Sequence, residues 1–444
     1  EQAKQSVSGF DKSAIKAIGI TNQRETTCVF DRKSSKPVRK AIVWQCKRST
    51  DICQNLKAKG LEATFRERTG LVLDPYFSGT KLTWLMENEP ATANLLRSGE
   101  AVCGTIDTYV INRLSGGESF VTEPSNASRT LLYNIKQGDW DDDLIAHLGL
   151  PGRQILPEVK DSASQFAVTK GLDFLPDGIP IAGVLGDQQA ALAGQTCFAQ
   201  GESKCTYGTG AFLLANIGDQ ALPSQFGLLT TVAWSLNGKQ TYAFEGAAFV
   251  AGAAVQFLRD QFGMLAQAPE IEAPAKTVRA APDIYFVPSL SGLGAPHWDP
   301  TAKGALLGLT RDTSKAQMFR AVLEGMAFQI TDMVRCMEDD LGTKLSVLRV
   351  DGGAAANNTL MQIQANLTTL PVDRPANLES TALGAAMFAG LGIGLFRSFE
   401  DMRSARAGER VFEPEGSFSD ADRQQMLQGW GRAVAAVQTF AGSK

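Results

Sequence analysis

A chain of 444 residues is too long for one hydrophobic core, so two or three domains are expected. Hydrophobic residues at 44% and charged residues at 20% set it apart from disordered chains, and a net charge of −4 removes the basic excess that broad binding to nucleic acid or anionic membrane would need. With 2 histidines and 7 scattered cysteines, none in a Cys-x-x-Cys pair, there is little material for a Ser-His-Asp triad, a zinc site or a disulfide framework. Acid–base work then falls to carboxylates, and the thiols are expected to be reduced, in a cytoplasmic protein.

In chain order, the apolar run Ala17–Ile20 predicts a strand buried on both faces. Thr26–Asp31 and Arg39–Trp44 predict a strand pair around the turn Ser34-Ser35-Lys36-Pro37, and helices are expected at Asp51–Lys59 and Lys81–Asn88. Ile179–Gly186 predicts a second buried strand that runs straight into a helix beginning at Asp187. Lys204–Tyr207, the glycine turn Gly208-Thr209-Gly210 and Ala211–Ile217 predict strand, turn and strand. Leu228–Leu236 and Lys239–Phe244 flank Asn237-Gly238, a strong hairpin signal.

Helices are expected at Ala248–Phe262 and Ser314–Leu341. In the second, Phe319, Val322, Met326, Ile330, Met333, Met337 and Leu341 form a stripe that core packing explains. Val347–Val350 predicts a strand that ends in Asp351-Gly352-Gly353 and opens a helix running to Leu367. The longest apolar stretch, Ala382–Phe396, falls short of the ~20 residues a spanning helix needs and carries several glycines, so a buried helix and its turn are expected there. The domain boundary is placed near Gly194, dividing residues 1–193 from 194–444.

Three constellations carry chemistry. Arg24-Glu25 follows the first buried strand and Asp187-Gln188 the second. In open sheets, ligands sit beyond the carboxyl ends of strands. Neighbouring strands would gather an arginine, two carboxylates and an amide in one crevice, enough to bind hydroxyls and leave a carboxylate to take a proton. The plain alternatives are a surface ion pair for Arg24-Glu25 and a helix N-cap for Asp187. Second, the amides of Gly208-Thr209-Gly210 and the Thr209 hydroxyl can donate to phosphate oxygens, although a simple hairpin turn also explains them. Third, Gly352-Gly353 opens a helix whose N-terminus suits a phosphate. Gly353 and Asn357 stand four residues apart there, as Gly252 and Gln256 do on the earlier helix, and close helix packing is the alternative for both pairs.

Taken together, these motifs resemble the FGGY family of carbohydrate kinases. The matching segments are Ile18-Gly-Ile-Thr-Asn-Gln-Arg-Glu-Thr-Thr27, Ala41-Ile-Val-Trp-Gln45, Asp74-Pro-Tyr-Phe-Ser-Gly-Thr-Lys81, Ser125-Asn-Ala-Ser-Arg-Thr130, Gly186-Asp-Gln-Gln-Ala-Ala191, Thr206-Tyr-Gly-Thr-Gly210, Gly292-Leu-Gly-Ala-Pro296 with Trp298-Asp-Pro300, and Arg349-Val-Asp-Gly-Gly353. The resemblance implies an α/β fold of two actin/hexokinase-type, ribonuclease H-like ATPase domains with a cleft between them. It also implies ATP-dependent phosphorylation of glycerol, assisted by Mg²⁺. By the same carry-over, Arg24, Glu25, Tyr76, Asp187 and Gln188 bind the glycerol hydroxyls, Trp44 and Phe212 wall the carbon chain, and Asp187 is the general base. Thr209, Gly252, Gln256, Gly353 and Asn357 belong to the ATP site, and no metal ligand is assigned. Family members often form homodimers or homotetramers.

Two other readings stay open. A kinase of the family acting on a pentulose is disfavoured by the Arg24-Glu25 pair and Trp44. A non-catalytic polyol or nucleotide binder is suggested by one departure: the family opens with a strand carrying an Asp and a Gly-Thr-Thr hairpin that touches Mg²⁺ and the ATP phosphates. This chain opens in Glu1-Gln2-Ala3-Lys4, which reads as part of the helix before Ala17–Ile20. A truncated first domain, with Ala17–Ile20 at a sheet edge and turnover of ATP lost, is therefore expected.

Overall fold

A computed structural model describes residues 11–278 and 283–442. The helix expected at the opening of the chain lies outside these residues. Two main sheets organise the rest. The first holds β1 (Ile18–Asn22), β2 (Ala163–Val168) and β3 (Pro180–Gly186) in the order β1-β3-β2. β1 and β3 are parallel, with Ile20 opposite Val184 and Asn22 opposite Gly186, so their carboxyl ends share one side of the sheet. Every residue of β3 after Pro180 is buried, as a strand covered on both faces requires. Among the described residues β1 pairs with β3 alone and forms the sheet's edge.

The second sheet contains β4 (Glu202–Tyr207), β5 (Ala211–Gly218), β6 (Leu229–Leu236), β7 (Lys239–Ala248), β8 (Val347–Asp351), β9 (Val372–Pro375) and β10 (Gly408–Phe412), in the order β6-β7-β5-β4-β8-β9-β10. Both expected hairpins form. Between β6 and β7, Asn237 and Gly238 have φ of 52° and 72°, the pair of left-handed residues that a tight hairpin turn demands. β4 and β8 run parallel, with Thr206 opposite Asp351.

Helices α1 (Ser78–Asn88), α2 (Pro124–Ala127) and α3 (Asp187–Gly194) lie in the first half of the chain. The second half supplies α4 (Gly252–Asp260), α5 (Lys315–Leu341), α6 (Asn358–Thr368) and α7 (Ser380–Gly392). α5 starts at a capping box made by Ser314 and Gln317, and the stripe from Phe319 to Met337 is buried in the core. α7 crosses back to pack on α3, β3 and β1. Glycines permit that approach: a Cβ on Gly384 would stand 1.8 Å from the Ala190 carbonyl oxygen, and one on Gly194 would stand 1.9 Å from that of Ser380. No helix among the described residues is long and apolar enough to cross a membrane.

Three local expectations are corrected. Arg39–Trp44 forms no strand, only the isolated bridges Thr27–Ile42 and Phe30–Pro37. The strand Cys28–Asp31 pairs instead with Ala101–Gly104. Val29 and Phe30 are buried and need a buried partner, which Ala101, Val102 and Cys103 supply, whereas Lys40, Ala41 and Val43 are exposed. The helix expected from Ala248 begins at Gly252, because β7 runs on to Ala248. The helix expected directly after Gly352-Gly353 is split: Gly353–Ala356 is a 3₁₀ turn, and α6 begins only at Asn358.

Candidate active site

The parallel register of β1 and β3 brings their following residues together. Arg24 Nε lies 3.3 Å from Asp187 Oδ1 and 3.5 Å from Glu25 Oε1. Arg24 and Glu25 are 1% and 2% exposed, but Asp187 keeps 36% of its side chain accessible, so the carboxylate opens onto a crevice from a buried base. The N-cap of α3 is Gly186, with no side-chain cap bond, so the capping role open to Asp187 is not taken. Asp187 Oδ1 instead accepts from the neighbouring Gln188 amide at 2.8 Å. Burial raises the Asp187 carboxyl above its ordinary value, the Glu25 charge adds to the rise, and Arg24 opposes it.

The other expected hydroxyl ligands fall close by. Tyr76 sits edge-on to Trp44, ring centroids 5.5 Å apart, and burial pushes its hydroxyl pKa upward, with Glu25 reinforcing the shift. Lys81, fully buried on α1, donates to the backbone carbonyls of Glu25 and Phe77 at 3.2 Å and to that of Tyr76, so it ties two candidate ligands to one anchor. Burial lowers the Lys81 ammonium to about 8. Phe212, half-buried on β5 opposite Thr206, makes no ring contact with Trp44 or Tyr76 among the described residues.

Several charged groups that sequence reasoning missed surround this set. Glu245, on β7, accepts from Arg24 Nη1 at 2.5 Å and Nη2 at 3.0 Å, and from Arg129 Nη2 at 2.8 Å. Arg129 Nε donates to Glu25 Oε1 at 2.8 Å. Burial works against the Glu245 charge, but Arg129 and Arg24 outweigh it and hold the carboxyl down at about 2. Lys204, buried on β4, donates to Gln188 Oε1 at 2.5 Å and Thr206 Oγ1 at 2.9 Å. Burial lowers its pKa, and Asp351 opposes the shift most strongly.

Glu123 supports both strand ends from beneath. It accepts from the amides of Ser125 and Asn126 and from the Ser162 hydroxyl. The Ser125 hydroxyl then accepts from the Gly186 amide, and Asn126 Oδ1 accepts from Asn22. Burial pushes Glu123 up to about 7. Arg129 lies in the matching segment Ser125–Thr130, where the resemblance assigns it no role; for Glu245, a charge within the apolar stretch Ala243-Phe244-Glu245-Gly246 is the one signal available.

The three glycine motifs converge. Ala251 and Ala253 amides donate to the Thr209 carbonyl at 2.8 and 3.1 Å, and the Gly252 amide to that of Gly208 at 3.0 Å. A Cβ on Gly252 would meet the Gly208 oxygen at 2.6 Å, and one on Gly352 would meet that of Tyr207 at the same distance. The end of β4 is thus flanked by the N-terminus of α4 and the turn after β8. Thr209, Gln256 and Gly353 are exposed there, and a Cβ on Gly353 would meet nothing within 4 Å. Gly252 and Gln256 do share one helix, α4. Gly353 and Asn357 do not: Asn357 is the N-cap of α6, its Oδ1 accepting from the Leu360 amide at 2.9 Å. Its amide nitrogen is the part left for a ligand.

No three His, Cys, Asp or Glu side chains gather as a metal cage among the described residues. Asp351 Oδ1, at the end of β8 beside the glycine turns, is buried without a hydrogen-bond partner. Such a carboxylate fits a cation carried largely by phosphate oxygens and water.

Comparison with known proteins identifies the family. Residues 1–194 match the N-terminal domain of the FGGY family of carbohydrate kinases, and residues 203–393 match its C-terminal domain. A glycerol kinase of Bdellovibrio bacteriovorus is 51% identical over 96% of this chain and 86% of its own length. One from Desulforamulus reducens is 49% identical over 98% and 86%. The crystal structure of Plasmodium falciparum glycerol kinase with ADP superposes with a TM-score of 0.90 at 36% identity, covering 95% of this chain and 84% of that one. A xylulose kinase from Lactobacillus acidophilus, 22% identical with a TM-score of 0.87 over 100% of this chain and 88% of its own, shares the fold. The expectation of a missing opening segment gains no support from these alignments. The fold is the actin/hexokinase-like α/β fold of sugar kinases, and the chain belongs to the FGGY family of carbohydrate kinases.

Proposed function

We propose that this protein transfers the γ-phosphoryl group of ATP to a terminal hydroxyl of glycerol, giving glycerol 3-phosphate and ADP. The observation that carries the reading is the half-open Asp187 carboxylate, held against buried Arg24 where two parallel strands end. Relatives about half identical over nearly the whole chain are glycerol kinases, which supports glycerol over a pentulose.

In this reading residues 1–193 form the polyol-binding domain and residues 194–444 the nucleotide-binding domain. Arg24, Glu25, Tyr76 and Gln188 hold the hydroxyls, and Trp44 and Phe212 flank the carbon chain. Asp187 takes the proton from the attacking oxygen as the new O–P bond forms and the bond to the ADP oxygen breaks. The amides around Gly208-Thr209-Gly210, with Gly252, Gln256, Gly353 and the Asn357 amide, receive the nucleotide. Asp351 and Asp187 would hold Mg²⁺ bound to the ATP phosphates, and the ion would supply charge neutralisation. The rest of the catalysis is positioning. The protein would act in the cytoplasm as a homodimer or homotetramer.

The test is ADP release by the purified chain with ATP and Mg²⁺, comparing glycerol with pentuloses, and ³¹P NMR of the product. Glycerol-dependent release is expected. Release with a pentulose alone, or none with any polyol, would overturn the reading.

A further inference from the structure

Glu245 takes no part in the reading above, yet it touches the residues proposed to bind the acceptor. Its two carboxylate oxygens hold both terminal nitrogens of Arg24, and Oε1 is shared with Arg129. Arg129 continues to Glu25 Oε1 at 2.8 Å, and that oxygen lies 3.5 Å from Arg24 Nε. Two cations and two anions therefore alternate in a closed ring whose side chains are all 2% exposed or less. Burying four charges is costly, and the ring offsets the cost only while every member is present.

Its geometry does more than balance charge. Both Nη atoms of Arg24 donate to Glu245, and Nη1 also donates to Gln189 Oε1 at 3.3 Å, so Nε is the one guanidinium nitrogen with no hydrogen-bond partner. Arg24 Nε is buried with no hydrogen-bond partner and lies between Glu25 and Asp187. Glu25 Oε1 is likewise committed to Arg129, which leaves Oε2 as its free acceptor. One donor and one acceptor thus remain for a ligand, set by atoms that never reach it. Arg24, Glu25 and Arg129 come from the first half of the chain, but Glu245 sits on β7 of the second sheet, paired with Leu214 and Leu229.

We infer that Glu245, acting with Arg129, is a positioning residue for the acceptor: it turns Arg24 and Glu25 into a matched donor and acceptor for the adjacent hydroxyls of a vicinal diol. This inference rests on the function proposed above. The test is Glu245→Gln, which keeps shape and removes charge, compared with the parent chain for KM of glycerol, KM of ATP and thermal midpoint. The expected result is a rise in glycerol KM of about 10- to 100-fold, the range for losing a hydrogen bond between charged groups, with the KM of ATP nearly unchanged. If Glu245→Gln does not fold, Arg129→Lys is read the same way. A folded variant with normal glycerol KM, or with both KM values raised equally, would overturn the inference. Failure of both variants to fold would do so too, by reducing the ring to a structural element. A parent chain that shows no glycerol-dependent ADP release would instead overturn the functional reading, and this inference with it.

Discussion

Arg24 Nε stands 3.3 Å from Asp187 Oδ1, so the carboxylate proposed to accept a proton is also one arm of an ion pair. Burial, reinforced by the Glu25 charge, raises its pKa, and the pairing with Arg24 opposes that rise without cancelling it. Replacing Asp187 with Asn removes the proton acceptor but leaves a side chain that can still hydrogen-bond. Asp187→Asn is expected to lower kcat by about 10²–10⁴-fold while changing glycerol affinity far less. Steady-state kinetics beside a direct glycerol titration will show this; near-normal turnover would move the base elsewhere.

The raised pKa of Asp187 also sets the acid limb of the pH profile. A base must be deprotonated to work, so kcat falls as pH drops through its pKa. That limb is expected at a higher pH than an ordinary carboxylate would give. A pH profile of kcat with glycerol saturating, run beside a circular-dichroism check of folding, separates this from acid unfolding.

Gly353 offers a probe of the nucleotide side that leaves the fold alone. It is exposed, and a Cβ there would meet nothing within 4 Å. Gly353→Leu is expected to leave the thermal midpoint nearly unchanged, to raise the KM of ATP about tenfold or more by blocking the approach to the β4 turn, and to spare glycerol binding. Equal loss for both substrates would argue against a nucleotide at this turn.

Glu123 should leave a mark on stability. Its pKa is about 7 in the folded chain against an unperturbed 4.5. Between these values the folded state binds more proton than the unfolded state, so this group makes stability decline as pH rises from about 4.5 to about 7. Glu123→Gln removes the term. Urea midpoints of the two proteins across that window should show the parent losing ground to the variant with rising pH; parallel curves would mean that Glu123 is ionised throughout.

Gly384 tests the return of α7 to the first sheet. A Cβ there would stand 1.8 Å from the Ala190 carbonyl oxygen, a backbone atom that cannot swing away. Gly384→Val is expected to destabilise the protein by about 1–3 kcal/mol or more through overpacking, read as a lower urea midpoint. Gly394→Ala, in open space but at positive φ, is a control for backbone strain alone.

How much of this could be read beforehand depends on how local its cause is. β3 is buried on both faces and so appears as an unbroken apolar run, whereas β1, at the sheet edge, is only partly buried; the polar residues just beyond both could still be placed in one crevice. Asn237-Gly238 marked its hairpin because two successive left-handed residues are a local demand. The Arg39–Trp44 strand failed because the buried partner that Val29 and Phe30 require lies at residues 101–104, and a nearby turn signal says nothing about depth. Asn357 was assigned to a helix face because two glycines followed by alanines read as a helix start, whereas the chain makes a separate 3₁₀ turn first. Arg129 and Lys81 stood in matching segments, but their roles, like those of Glu245 and Lys204, stayed hidden because a buried charge takes its meaning from its partner, and for Arg24 and Glu245 that partner is 221 positions away.

The Gly194–Gly384 contact also has a consequence for biosynthesis. As the polypeptide leaves the ribosome, β1, β3 and α3 emerge long before α7, the helix that covers them. The first sheet therefore waits with an apolar face bare until residues near the end of the chain are released, and its completion is tied to theirs. Nascent chains of this protein should depend on chaperones until α7 is released, because one face of the first sheet has no cover before then.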